Sequence, residues 1–192
     1  MHRHRLLRIN APFSHAELTA ARLDGHVVEL GDAYLPADRI ETTGLRASSL
    51  AALLPRLGGA ALAGASAAWV HGAGDAAPLP HEVQRIGRRR IRIPPTPLLV
   101  LHDVPAGEAD VVHVDGVPVV SPERTLLDLL RRGPGGASSR WASSLALTDP
   151  ALVLAVSERL ARLPNGPGRR RAKEGLARIE RATSSAQDEV TR

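Results

Sequence analysis

A chain of 192 residues with 25 basic and 20 acidic side chains and no cysteine is long enough to bury a core, as one domain or as a small module joined to a larger one. The missing thiols exclude a disulfide framework, a thiolate zinc site and a cysteine nucleophile. Hydrophobic residues make up 43% of the chain but aromatics only 2%, so the core has to be built from Leu, Val, Ile and Ala. A net charge of +5 favours polyanionic partners such as nucleic acid. The basic residues include a single lysine, Lys173, which points to a coding bias towards arginine as much as to an arginine surface. The start, MHRHRLLRIN, is basic but leads into no apolar stretch of signal-peptide length, and no run of about 18 apolar residues occurs. A soluble cytoplasmic protein is expected.

Taken in chain order, Ser14 opens a short helix through Asp24, with Glu17 three residues on to complete a capping box and Gly25 to stop it. Residues 27–30 and 33–35 flank Gly31-Asp32, a glycine-first connection of the kind a type II′ hairpin uses. Helix followed by hairpin is winged-helix order, so residues 1–44 are expected to form a small winged-helix-like module. Residues 36–44 read as a linker and 45–54 as a helix ended by Pro55. Small residues throughout 60–70 predict a helix leading into Trp69-Val70-His71-Gly72. Residues 82–86 and 88–93 predict a hairpin joined at Gly87, its second strand presenting Arg88, Arg90 and Arg92 on one face. Further short strands are expected at 98–101, 111–114 and 117–120, the last two turning at Asp115-Gly116.

Ser121-Pro122-Glu123 combines a capping hydroxyl, a proline at the first helical position and an acid at the positive dipole end. Its helix should run to about Arg132. Asp149-Pro150 starts another helix ending near Leu163, and residues 169–183 form a basic one. The expected fold class is α+β: the winged-helix-like module, a mixed α/β domain over 45–165 with short strands and capped helices, and a basic helical tail over 166–192.

Catalytic patterns find little support. His71, His81, His102 and His113 recur beside Glu82, Asp103 and Asp115, but without ligand spacing or an HExxH, and they read as polar loop residues. Residues 64–68, GASAA, lack the second glycine of a nucleophile elbow, so Ser66 is expected to pack. No enzyme activity, metal, cofactor or small-molecule substrate is expected. Arg85, Arg88, Arg89, Arg90 and Arg92 form the densest basic run before the C-terminal helix. Guanidinium forks suit phosphate or carboxylate partners, and a solvated strand face explains them equally well.

Two stretches carry a likeness. SHAELTAARLDGHVVELGDAYLPAD, residues 14–38, and SAAWVHG, HEVQ and VDGVPVVSPERTLLDLLRR, within residues 66–132, resemble the short actinobacterial branch of the AbiEi antitoxins of bacterial type IV toxin–antitoxin systems. The final SSAQDEVTR is similar to the linker that precedes a Vsr-like endonuclease domain in longer relatives. The resemblance implies a transcriptional autorepressor that binds operator duplex DNA and neutralises a toxin of the nucleotidyltransferase class. It puts the DNA contacts in residues 1–44, with Arg3, Arg5 and Arg8 as an arm on the phosphates and His15, Thr19 and Arg22 facing a groove. The partner surface would be Arg85, Arg88, Arg90 and Arg92, complementary to a toxin's acidic site. A second reading stays open: Glu29 and Asp32 stand in the wing where a phosphate-contacting wing is basic, which suits a protein-interaction module with a vestigial DNA-binding head.

Overall fold

In the computed structural model, which describes residues 6–9, 12–55, 57–88, 91 and 96–190, local capping chemistry acts where the sequence places it. Strands β1 (Arg8–Ile9) and β2 (Pro12–Phe13) lead to helix α1 (His15–Leu23). Ser14 Oγ accepts the Glu17 amide, and the Glu17 carboxylate accepts the Ser14 amide and hydroxyl, which is the predicted capping box. The hairpin follows as β3 (Val27–Leu30) and β4 (Ala33–Pro36), turning through Gly31 at φ +56. Period-two alternation divides its side chains between two layers. Val27 and Tyr34 pack under Leu18 of α1. Leu30 and Leu35 face the other way, into the main core with Leu45, Leu50, Leu62 and Val119.

Helix α2 (Thr43–Leu50) begins two residues before the predicted start because the Thr42 hydroxyl caps it at the Leu45 amide. It runs on into a 3-10 turn over Ala51–Leu53. Two expectations are overturned in the middle of the chain. The expected helix over 60–70 divides into β5 (Ala60–Leu62) and α3 (Gly64–Val70). Every residue of β5 is buried, so it lies between two strands and shows no apolar–polar alternation, which makes it indistinguishable by period from a buried helix. The other is the partner of β6 (His81–Ile86), since most of the strand expected over 88–93 lies outside the described residues and β6 is paired elsewhere. This strand pairs antiparallel with β5 and parallel with β7 (Leu99–Ala106), so both of its ladders are filled, and Arg88 lies in a turn.

The sheet is completed by β8 (Val111–Val114) and β9 (Val117–Val120), in the order β7-β6-β5-β9-β8. Asp115 and Gly116 both have positive φ, as a tight primed turn requires. Helix α4 (Pro122–Arg131) starts as predicted, with Ser121 Oγ accepting the Arg124 amide. Ser121→Ala is expected to lower stability by about 1 kcal/mol through loss of this cap, read as a lower urea midpoint at unchanged slope. An unmoved midpoint would mean that the proline alone sets the helix start.

Helix α5 (Gly136–Thr148) is Ser- and Ala-rich and has no capping side chain, so little in its sequence announces it. It forms where Ala142, Leu145 and Ala146 bury against neighbours. With α6 (Ala151–Arg162) and α7 (Pro167–Val190), it surrounds a second core that includes Leu126, Leu127, Leu129, Val156 and Leu160. The segment expected as a basic tail is therefore a docked helix. Ala172, Leu176 and Ile179, spaced i, i+4, i+7, give α7 its buried stripe. A Cβ on Gly175 would lie 2.7 Å from Leu130 Cδ2, so the close approach of α7 to α4 needs glycine there. Arg124 and Arg159 both bind the Asp110 carboxylate, at 2.5 and 2.7 Å, and tie α4 and α6 to the start of β8. Burial pushes that carboxyl up, but the Arg159 and Arg124 bonds outweigh it and hold its pKa below the usual value.

Candidate functional site

Of the residues expected to touch DNA, Arg8, His15, Thr19 and Arg22 are among the described residues. His15, Thr19 and Arg22 share a face of α1 at i, i+4, i+7, with Thr19 half-buried and Arg22 paired to Glu29 at 3.3 Å. Arg8 points elsewhere. Its guanidinium donates to the carbonyls of Ser48 and Ser49 at 2.5 and 3.2 Å, at the negative end of α2. Arg3 and Arg5 lie outside the described residues. Residues 1–44 hold five arginines against six carboxylates, so the surplus positive charge belongs to the rest of the chain.

The turn of the hairpin is also not where a projecting wing would have it. An added Cβ on Gly31 would lie 2.4 Å from Ser49 Oγ and 3.0 Å from Leu50 Cδ2, so the turn is seated on α2. Next to it, His81 Nε2 donates to Asp32 Oδ1 at 3.1 Å from the start of β6. His81 is almost fully buried, and its Nδ1 has no hydrogen-bond partner among the described residues.

Of the arginines expected on one strand, Arg85 and Arg88 are among the described residues. Arg85 donates to the Asp103 carbonyl and carboxylate, at 2.7 and 3.1 Å, and to the Gly87 carbonyl at 3.1 Å. Arg88 is exposed in the turn after β6. Arg90 and Arg92 lie outside the described residues.

One polar junction was not singled out from the sequence. The Glu82 carboxylate on β6 accepts from His102 Nε2 of β7 at 2.6 Å, from Arg132 Nη1 beyond α4 at 2.6 Å and from the Ala65 amide of α3 at 3.3 Å. The Glu82 amide donates to Ser66 Oγ at 2.8 Å, which gives the buried serine a polar role besides packing. Gly64 makes room for the cluster. It sits at φ +51, and a Cβ there would come within 2.1 Å of Glu82 Oε2 and 2.6 Å of Arg132 Nη2. Burial pushes the Glu82 carboxyl up, while the His102 bond and then the Arg132 charge outweigh that and hold its pKa below the ordinary value. A carboxylate saturated in this way is poorly placed to take up a proton near neutral pH. It joins β6, β7, α3 and α4 rigidly.

The histidines expected in loops are on regular structure. His81, His102 and His113 lie on β6, β7 and β8, and His71 closes α3 with Nε2 2.8 Å from the Val120 carbonyl. Burial lowers the His71 pKa, with that carbonyl acting in opposition. Among the described residues, no three His, Asp or Glu side chains are grouped to hold a metal.

Residues 58–173, from just before β5 to the first turns of α7, match the family described as the AbiEi antitoxin C-terminal domain. The chain belongs to that family. Its antitoxin domain thus contains the five-stranded sheet, α3 to α6 and the whole Glu82 junction, while α1, the hairpin and α2 precede the matched region. The match gives the chain a toxin–antitoxin role. No curated protein matches it. A crystal structure of the RV2827C protein from Mycobacterium tuberculosis is similar at 19% identity and a TM-score of 0.45, over 88% of this chain and 66% of that one. No helix among the described residues is long and apolar enough to cross a membrane.

Proposed function

We propose that this antitoxin-family protein neutralises a toxin of the nucleotidyltransferase class by binding rather than by turnover. In this reading a head over residues 1–44 binds operator duplex DNA in the cytoplasm and represses transcription, residues 45–165 are the antitoxin domain, and 166–192 a helical extension of it. The observation that carries the reading is the family match over 58–173, which coincides with the sheet and its helical layer.

Arg88, Arg90 and Arg92 are proposed to steer the encounter with an acidic toxin surface. Arg85 has a different part, because its donors are engaged by Asp103 and Gly87. It fixes the end of β6 from which the other three follow. Changing Arg88, Arg90 and Arg92 together to Glu is expected to remove growth rescue against a co-expressed cognate toxin, with an unchanged melting temperature. Rescue equal to that of the unaltered protein would end the steering proposal.

A second reading, an interaction module that does not bind DNA, is favoured by the docked hairpin turn and by the surplus of carboxylates in residues 1–44. Titration of labelled duplex over a range of salt separates the two. Binding that weakens steeply with salt supports the DNA-binding head, and no binding at low salt supports the module.

A further inference from the structure

We propose that the Gly31-Asp32 turn is a latch that holds the head flat on the antitoxin domain, and that the head engages duplex DNA only when the latch is released. The coupling to DNA rests on the reading of residues 1–44 as a DNA-binding head; the latch itself does not.

Three contacts close the latch, one on β6 and two on α2. The Asp32 carboxylate accepts from His81 on β6, Gly31 sits against Ser49 and Leu50 of α2, and Arg8 donates to the last carbonyls of α2. Leu30, Ala33 and Leu35 are buried beneath the turn, so the hairpin is a layer between α1 and the antitoxin domain and not a projection. A hairpin reaches along a duplex with its turn. Here the turn is occupied, so the docked and DNA-bound positions exclude one another.

The latch is also built to open. The head has a small core of its own, Leu18, Val27 and Tyr34, and α1 leaves Leu23 75% exposed. His81 satisfies one ring nitrogen through Asp32 and keeps the other buried without a partner among the described residues. Release also uncovers Leu30, Ala33 and Leu35, so the closed form is the major state, and loss of the Asp32 contact raises a small released population that duplex DNA can select.

The test uses the full chain and two variants of equal charge, Asp32→Ala and Asp32→Asn. Asn retains an oxygen for His81 Nε2 and Ala does not, so charge removal near the duplex is common to both. Amide hydrogen exchange over residues 30–33 and anisotropy with a fluorescent mixed-sequence duplex are measured on each. Exchange at the turn is expected to be about tenfold faster in Asp32→Ala than in Asp32→Asn, with β5 and β9 unchanged. Duplex affinity is expected to rise at least about threefold between the same two variants, as release adds binding-competent molecules. Equal exchange at the turn in both variants overturns the latch. Faster exchange at equal, measurable duplex affinity overturns its coupling to DNA. Faster exchange with no duplex binding by any form overturns the DNA-binding head itself while upholding the latch.

Discussion

Leu126→Ala is expected to lower the unfolding free energy by about 2–5 kcal/mol, the range for truncating a buried leucine whose surroundings only partly collapse. Leu126 is fully buried on α4, in the cluster that also holds Leu145, Val156, Leu160, Leu176 and residues of α3. Every helix from α3 to α7 contributes to that cluster, so its members are held in place by one another and collapse only partly into a cavity. For a chain of this length each kcal/mol corresponds to roughly 2–4 °C of melting temperature. A urea titration gives the same quantity from the midpoint. If the midpoint held while toxin neutralisation was lost, Leu126 would belong to an interaction surface, contrary to its burial.

Glu82→Ala is the next largest expected effect. Breaking a buried ion pair from one side costs about 3–5 kcal/mol because it leaves the other charge uncompensated. The Arg132 side chain is 30% exposed and Glu82 14%, so water reaches the orphaned guanidinium and the expected loss is about 2–3 kcal/mol. Glu82→Gln should lose less, since it keeps the shape and an acceptor for His102 or the Ala65 amide. The two forms also differ in acid. The folded protein holds the Glu82 pKa below the ordinary 4.5, so the unfolded chain takes up the proton first as pH falls. The stability contributed by the carboxylate is then fully present above the ordinary value and is lost as pH drops through the folded one. The gap in urea midpoint between the unaltered protein and Glu82→Gln should therefore narrow as pH falls below about 4.5 and close only once pH has dropped through the folded value. A constant gap over that range would show that the junction acts through packing and not through charge.

Much of the local structure could be read without the fold, and the reason is the short range of the interactions involved. The Ser14–Glu17 box, the Ser121-Pro122 helix start and the Asp115-Gly116 turn are each complete within four residues, so their chemistry is present in any window that contains them. The order of segments and the motifs in 66–132 likewise carried the family resemblance that the match over 58–173 establishes.

Other features were decided only by tertiary packing. Whether 60–62 is strand or helix depends on which neighbours cover an all-apolar run, and burial on both sides removes the periodicity that would tell. The partners of β6 are β5, 21 to 25 residues earlier, and β7, reached through a long connection, and no local pattern at Gly87 can outweigh two ladders filled from elsewhere. The Asp32–His81 contact spans 49 residues and the Glu82–Arg132 contact 50. Neither has a sequence spacing that chemistry constrains, because the fold and not the chain sets those distances. The stripe Ala172, Leu176 and Ile179 suggests an apolar face for α7, but only Leu130 and its neighbours determine that a helix so rich in arginine lies docked rather than free. Residue type and short spacing thus specified caps, turns and family, while burial and long-range pairing specified the sheet order, the seated hairpin and the Glu82 junction, since the free energy of those contacts exists only once distant segments have met.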